Sequence, residues 1–277
     1  MTTVVKIGGA RAVDPAGAVA DIADRIEEGE RIVIVHGGST AVDDLLEALG
    51  EEPEYVTTPS GVTGRFTDER TMDVFTMAMA GKVNTELTVA LHNAGVNAVG
   101  LSGVDGELLS GPRKSAVRVI EDGKKKIRRG DHSGRITSVN VNLLETLLAA
   151  GYTPVISVPM LADDGVAVNA DADRAAAAVA GALDASLVLL TDVAGVYADP
   201  DDPASRIDAA TDPADFEALE AAAEGFMTRK IMAAKEAIEG GATAVYIADG
   251  TGANPISRAL AGDATRITPA AIVGDGS

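Results

Sequence analysis

Two lysines define the chemistry open to this chain. Lys6 lies in Thr3-Val4-Val5-Lys6-Ile7, one residue from the end of a β-branched run that stops at Gly8-Gly9. Lys230 follows Gly225-Phe226-Met227-Thr228-Arg229 and opens an alanine-rich helical pattern. A lysine inside a buried strand is unfavourable unless an anion meets it. A lysine in the first turn of a helix opposes the macrodipole and points to an anion bound there. The plain alternatives are an edge lysine that snorkels to solvent and a solvated surface lysine. Asn169-Ala170-Asp171-Ala172-Asp173 opens a further helical pattern. Its carboxylates read as helix caps, or Asn169 and Asp173, four apart on one face, organise the lysines. The sequence leaves both readings open.

Glycines after strands add an anion-binding possibility. Gly8-Gly9, Gly37-Gly38 and Gly100 to Gly103 each follow an apolar run, as do Asp192 and Asp249-Gly250. Glycine lets backbone N–H groups approach a ligand without a Cβ in the way, and the helix behind it contributes its positive end. For any single pair a structural turn is the commoner explanation; two pairs, each following a buried strand, favour anion binding. Neither GxxxxGK[ST] nor GxGxxG occurs, so neither common nucleotide fingerprint applies.

The elements that must carry these residues alternate. Apolar strands are expected over 3–7, 31–35, 98–103, 153–158, 186–191 and 244–247. Helical patterns lie over 15–28, 68–94, 140–150, 171–183, 213–223 and 230–239, with Ser39 or Thr40 capping a further helix that ends at Gly50. Near-continuous apolar strands separated by helices imply a parallel sheet covered on both faces, with ligands gathered at the carboxyl ends of its strands.

Composition narrows the function. The 277 residues contain 42 Asp+Glu against 23 Lys+Arg, a net charge of −19, and no cysteine or tryptophan. Disulfides, thiolate chemistry and Cys-ligated zinc are excluded, and with only three scattered histidines no metal centre is expected. The acidity argues against nucleic-acid binding. No apolar run approaches the ~20 residues of a membrane helix, so a cytoplasmic protein is expected. Acid excess with few lysines and abundant alanine resembles adaptation to molar salt, where screening relieves self-repulsion, and suggests a haloarchaeal source; an ordinary acidic bacterial protein is the alternative.

Lys6-Ile7-Gly8-Gly9, His36-Gly37-Gly38, Asn169 with Asp173, Leu190-Thr191-Asp192-Val193-Ala194-Gly195-Val196 and Gly225-Phe226-Met227-Thr228-Arg229-Lys230 resemble, in order, the amino acid kinase family and its acetylglutamate kinase branch. The resemblance implies a carbamate kinase-like α/β fold: an open, mainly parallel sheet sandwiched by helices, in two lobes. Residues 1–159 would bind the acid and a carrier protein and form a homodimer through the 68–94 helix; residues 160–277 would bind ATP. It implies that Lys6 and Lys230 clamp a transferring phosphoryl group and that Asp173 orients both. Backbone N–H groups of Gly8, Gly9 and Gly38 would hold phosphate oxygens. Gly37, Gly38, Ser39, Arg65 and Asn169 would contact the acid. Thr191, Asp192, Gly195, Tyr197, Phe226 and Met227 would lie along the nucleotide, with Mg²⁺ carried on the ATP phosphates. A glutamate-type carboxylate, with a pKa of about 4.3, needs no general base.

The segment Pro59-Ser60-Gly61-Val62-Thr63-Gly64-Arg65-Phe66-Thr67-Asp68 and the run Val99-Gly100-Leu101-Ser102-Gly103-Val104-Asp105-Gly106 resemble the carrier-protein-dependent members, the [LysW]-aminoadipate/[LysW]-glutamate kinases. These imply a glutamate or aminoadipate joined to a small acidic LysW-like carrier, in arginine or lysine biosynthesis. The charge pattern supports this independently. Arg113, Lys114, Arg118, Lys124, Lys125, Lys126, Arg128, Arg129 and Arg135 give a hairpin-like segment a net +6, against −25 for the rest. Such a patch suits an acidic partner; internal salt bridging and nucleic-acid contact are its alternatives. Two other functions remain: a kinase for free N-acetyl-L-glutamate, and a non-catalytic amino-acid sensor, against which Lys6, Asp173 and Lys230 argue. Arginine-sensitive relatives carry an extra N-terminal helix; this chain enters its first strand at Thr3, so a dimer without that feedback is expected.

Overall fold

The computed structural model describes residues 1–8, 15–59, 61, 63–121 and 123–273. Its centre is the β-branched strand Thr2–Ile7, buried along its whole length. It pairs in parallel with Arg31–His36 on one side and Ser186–Thr191 on the other. Beyond Arg31–His36 come Thr153–Ala162 and then Ala98–Gly103, both parallel. Beyond Ser186–Thr191 comes Ala244–Asp249, parallel, and then Thr265–Ile267, antiparallel. Strand order therefore turns back at Thr2–Ile7, and its carboxyl end lies at the switch point where open α/β sheets bind ligands. The strand Thr153–Ala162 runs through position 159.

Two apolar layers follow from the two-residue period of the strands. Val4, Val33 and Val35 face one cluster, together with the helices Ala172–Ala182 and Phe226–Glu239. Val5, Ile7, Ile32 and Ile34 face the other, with the helix Pro15–Glu27. Lys6 shares the parity of Val4, so period alone sends it to the first face.

Alanine does structural work on that face. Ala175, Ala176, Ala177, Ala180, Ala233, Ala234 and Ala237 are fully buried. The two helices approach so closely that a Cβ on Gly181 would lie 2.9 Å from the Gly240 carbonyl carbon. Small side chains thus let the start of one helix face the other, which positions Asp173 against Lys230.

The 68–94 pattern is one helical run with a widened middle: α-helix at Glu69–Thr76, π-helix at Met77–Val83, α-helix at Asn84–Asn93. Asp68 caps it, accepting from the Thr71 N–H at 2.8 Å. Met72, Phe75 and Met79 join the first apolar cluster, whereas Leu87 and Leu91 join the second. The run therefore passes from one face of the sheet to the other, and the π segment occupies the crossing.

Two expected helix starts differ. Ser39 does not cap; Ser39–Ala48 starts with Ser39 itself, behind Gly38, with no side-chain cap. The helix expected from Lys230 begins four residues earlier, at Phe226. The basic segment, expected as a hairpin of 115–120 and 124–129, is a hairpin of Arg113–Glu121 and Lys124–Gly134, attached at the sheet edge through Ala167–Asn169.

Candidate functional site

Lys6, Asp173 and Lys230 meet at the switch point. Lys6 Nζ lies 2.8 Å from Asp173 Oδ1 in an ion pair. Lys230 Nζ donates to Asp173 Oδ2 at 3.0 Å. The side chains are only 7 % (Lys6) and 11 % (Asp173 and Lys230) exposed. One carboxylate bridges two ammonium groups, and the three sum to +1. Burial alone would raise the Asp173 pKa; Lys6 and Lys230 outweigh it and hold the carboxyl well below the usual range. Burial, aided by Lys6, pushes the Lys230 ammonium down, and Asp173 opposes this. A buried surplus cation is unfavourable until an anion completes it, so the cluster is built to receive one.

The two readings of the aspartates divide between them. Asp171 is the cap, accepting from the N–H groups of Asp173 at 2.9 Å and Arg174 at 3.1 Å. Asp173 is the organiser. Lys230 is the fifth residue of its helix, so the first-turn dipole argument does not apply; its burial against Asp173 replaces that argument. Asn169 does not share a helix face with Asp173. It ends the strand Ala167–Asn169, and its amide donates to Thr67 Oγ1 at 3.0 Å.

The second glycine turn lies beside the cluster. The Gly37 N–H donates to the Ile7 carbonyl at 3.0 Å. A Cβ on Gly38 would lie 2.6 Å from Met79 Sδ, in the π segment, so any larger residue there requires the Met79 side chain to move. Gly8 follows Ile7 directly; Gly9 lies outside the described residues. The glycines of 98–103 have a different explanation. A Cβ on Gly100 would lie 2.2 Å from Asn84 Oδ1, and one on Gly103 2.6 Å from the Pro159 carbonyl. Both make room for protein atoms.

Arg65 reaches the helix behind Gly38. It pairs with Asp43 at 2.6 Å, donates to Ser39 Oγ at 3.0 Å and to the Tyr55 hydroxyl at 2.9 Å, and its side chain is 5 % exposed. Ser39 and Arg65 are thus brought together, with Tyr55 and Asp43, which sequence reasoning did not single out. Burial also raises the Tyr55 pKa, so the phenol stays protonated.

On the other side of the switch point, Thr191 ends its strand and its carbonyl accepts from the Gly250 N–H at 2.7 Å. Asp192 is exposed and accepts from the Thr191 hydroxyl at 3.1 Å. Gly195 has φ +153° and would place a Cβ 2.5 Å from Thr265 Oγ1, so packing requires glycine. Tyr197 lies in a small hairpin with Arg206. Phe226, 81 % exposed, begins the helix that carries Met227 and Lys230.

The basic hairpin is not uniformly free. Arg128 bonds to Glu54 at 2.7 Å and lies over the Phe66 ring at 4.4 Å, while Arg113 pairs with Asp164 at 3.5 Å. Internal salt bridging therefore accounts for these two. Pairing of Arg118 with Ile127, of Ala116 with Arg129 and of Ile120 with Lys125 puts Arg118, Lys125, Ile127 and Arg129 on one face. The opposite face carries the buried Val119 and Arg128, so the first face looks outward. Ile127 is 63 % exposed among those cations. Lys114, Lys124 and Lys126 are exposed as well.

His36 is buried at the site, and burial, aided by Lys6, lowers its pKa to about 4. An unfolded imidazole takes up its proton near 6.5, which the folded one refuses until about pH 4. Stability is therefore expected to fall as pH drops through this window, by about 3 kcal/mol in all. Urea titrations at pH 7 and pH 4.5 check this, with His36→Asn expected to flatten the difference.

Residues 1–249 match the amino acid kinase family, and the chain belongs to it. Among curated relatives, the [LysW]-aminoadipate kinase of Deinococcus radiodurans is 46 % identical over 267 residues, covering 96 % of this chain and 91 % of its own. The acetylglutamate kinase of Methanopyrus kandleri is 42 % identical over 245 residues, covering 86 % and 91 %. Among solved structures, the N-acetylglutamate synthase of Neisseria gonorrhoeae, complexed with coenzyme A and N-acetyl-glutamate, matches with a TM-score of 0.72 at 27 % identity, over 96 % of this chain and 59 % of that one. No helix among the described residues is long and apolar enough to cross a membrane.

Proposed function

We propose that this chain is an ATP-dependent kinase acting on the side-chain carboxylate of glutamate or 2-aminoadipate, carried through its α-amino group on a small acidic protein. The observation that carries the reading is the buried Lys6–Asp173–Lys230 cluster with its surplus positive charge. The name of the Deinococcus radiodurans relative supports the carrier-bound acid. A carboxylate oxygen attacks the γ-phosphorus of ATP. The bond from that phosphorus to the β–γ bridging oxygen breaks, leaving an acyl phosphate and ADP with no proton transferred. Such a step is mostly positioning and charge neutralisation. Lys6 and Lys230 flank the transferring group, Asp173 sets their separation, and N–H groups at Gly8, Gly9 and Gly38 donate to its oxygens. Mg²⁺ arrives on the ATP phosphates and neutralises part of their charge. Ser39 and Arg65, in residues 1–159, and Asn169, beyond them in sequence, line the acid side. Thr191, Asp192, Gly195, Tyr197, Phe226 and Met227 line the nucleotide side in residues 160–277.

The carrier docks on the outward face of the hairpin, where three cations surround an exposed isoleucine. Reversing Arg118, Lys125 and Arg129 to glutamate is expected to lower kcat/KM for the carrier substrate by about 10²-fold at low salt while leaving the KM for ATP within twofold. Equal loss of both would remove the docking role. Exposed Met77 and Val89 on the long helix support a homodimer through that face, and the acidic body supports a cytoplasmic enzyme that works best in molar salt. The acceptor is tested by comparing carrier-bound glutamate, carrier-bound aminoadipate and free N-acetylglutamate. Efficient turnover of the free acid would favour an acetylglutamate kinase, the activity named for the Methanopyrus kandleri relative.

A further inference from the structure

One buried side chain at the site is left without a task in this mechanism. His36 ends its strand under the Gly37-Gly38 turn, 1 % exposed. Its ring nitrogens have two neighbours: Nδ1 lies 3.0 Å from the Gly37 carbonyl oxygen, and Nε2 lies 3.0 Å from Asn84 Nδ2. The identity of the amide atom is fixed elsewhere. Asn84 Nδ2 also lies 2.9 Å from the Val155 carbonyl oxygen, which takes only a donor. The Leu101 carbonyl is a more distant acceptor at 3.5 Å, so the amide gives one hydrogen to Val155 and the other to Nε2. An Nε2 that accepts has no proton, so the proton of the neutral ring is on Nδ1 and is donated to Gly37.

We propose that His36 is a positioning residue: held as its neutral Nδ1–H tautomer by Asn84, it fixes the Gly37 carbonyl and thereby the aim of the Gly38 N–H toward the transferring phosphoryl group. In a trans peptide the carbonyl and the following N–H point in opposite directions. With the Gly37 oxygen turned down to the imidazole, the Gly38 N–H is turned away from it, toward the strand ends where Lys6 emerges. The Gly37 N–H, held by Ile7, fixes the peptide on the other side. Two further features serve this arrangement. The i→i+5 turns of the π segment let Met79 and Asn84, five apart, meet Gly38 and His36 together. Gly100 leaves the space that Asn84 occupies, since a Cβ there would lie 2.2 Å from Oδ1. Among the described residues around the ring, Lys6 is the charged one, and it disfavours an imidazolium. An imidazolium would also turn an Nε2–H against the Asn84 amide hydrogens.

The role in aiming Gly38 rests on the phosphate-binding reading of the turn; the tautomer does not. Long-range ¹H–¹⁵N spectra of the ¹⁵N-histidine-labelled protein, with His36→Asn identifying the resonance, test the first part without any assay. A neutral Nδ1–H ring from pH 8 to pH 5 is expected. An Nε2–H ring, or one titrating between pH 6 and 7, overturns the proposal. For the second part, His36→Leu is expected to lower kcat by about 10²-fold with little change in the KM for ATP. His36→Asn, whose amide can donate where Nδ1–H does, is expected to recover most of that loss. A folded His36→Leu with wild-type kcat, or a His36→Asn no better than His36→Leu, refutes the positioning role. An absence of phosphoryl transfer in the wild type would instead refute the kinase reading and leave the tautomer to the spectra.

Discussion

Lys230→Met is expected to lower kcat by 10²–10³-fold, with a smaller change in the KM for ATP. The ammonium lies 3.0 Å from Asp173, buried, and shares that carboxylate with Lys6. In such a water-poor place a fixed charge acts strongly on charge that develops in the transition state. Loss of one stabilising donor of this kind is worth about 3–4 kcal/mol. Lys6→Met is expected to be similar, and the double variant much less than twice as bad in free energy, because the pair acts as a unit. Steady-state kinetics on the two single variants and the double variant check this. Additive losses would mean that the lysines act separately.

Asp173→Asn should be the most destabilising single change at the site. Removing one partner of a buried ion pair typically costs about 3–5 kcal/mol, because the remaining charge is left uncompensated; here two ammonium groups are left, on opposite sides of one amide. Urea unfolding measures the loss, and millimolar ATP or pyrophosphate should restore part of it by supplying the missing anion. The pH dependence has a fixed sign. The folded carboxyl is held far below its unfolded value near 3.9, so its stabilisation is complete above that value. It is lost as the medium is made more acidic than pH 4. The wild type should therefore approach the variant in stability at low pH, and an unchanged gap there would contradict the account.

Most of the core of this site can be read from the chain. Lys6 is legible because a charge in a β-branched run must be met, whereas Asp173 is visible only as one of two open readings, cap or organiser, which the ion pairs to Lys6 and Lys230 separate. Lys230 is legible for a partly mistaken reason, since its helix begins four residues earlier and its burial against Asp173, rather than the dipole, is what sets it apart. The glycines mislead where protein atoms come close: Gly100 yields to Asn84 and Gly195 to Thr265, contacts between segments far apart in sequence. Asn84 and the π turns are hidden because periodicity assumes a uniform helix, and a polar residue in an apolar stripe was the available sign. The +6 hairpin is visible as a charge total, but the total cannot tell Arg128, committed to Glu54, from the outward Arg118. Alanine had two meanings as well, salt adaptation and close helix packing. The buried alanines that hold Asp173 against Lys230 show the second.

The most direct test of phosphoryl transfer to a carrier-bound carboxylate is hydroxylamine trapping. The protein is incubated with MgATP, hydroxylamine and the carrier charged with glutamate or aminoadipate, and the carrier is weighed by mass spectrometry. One hydroxamate per carrier, formed by the wild type and reduced at least 10²-fold by Lys230→Met, is the expected result. ATP consumption without hydroxamate, or equal hydroxamate formation by Lys230→Met, would contradict the account.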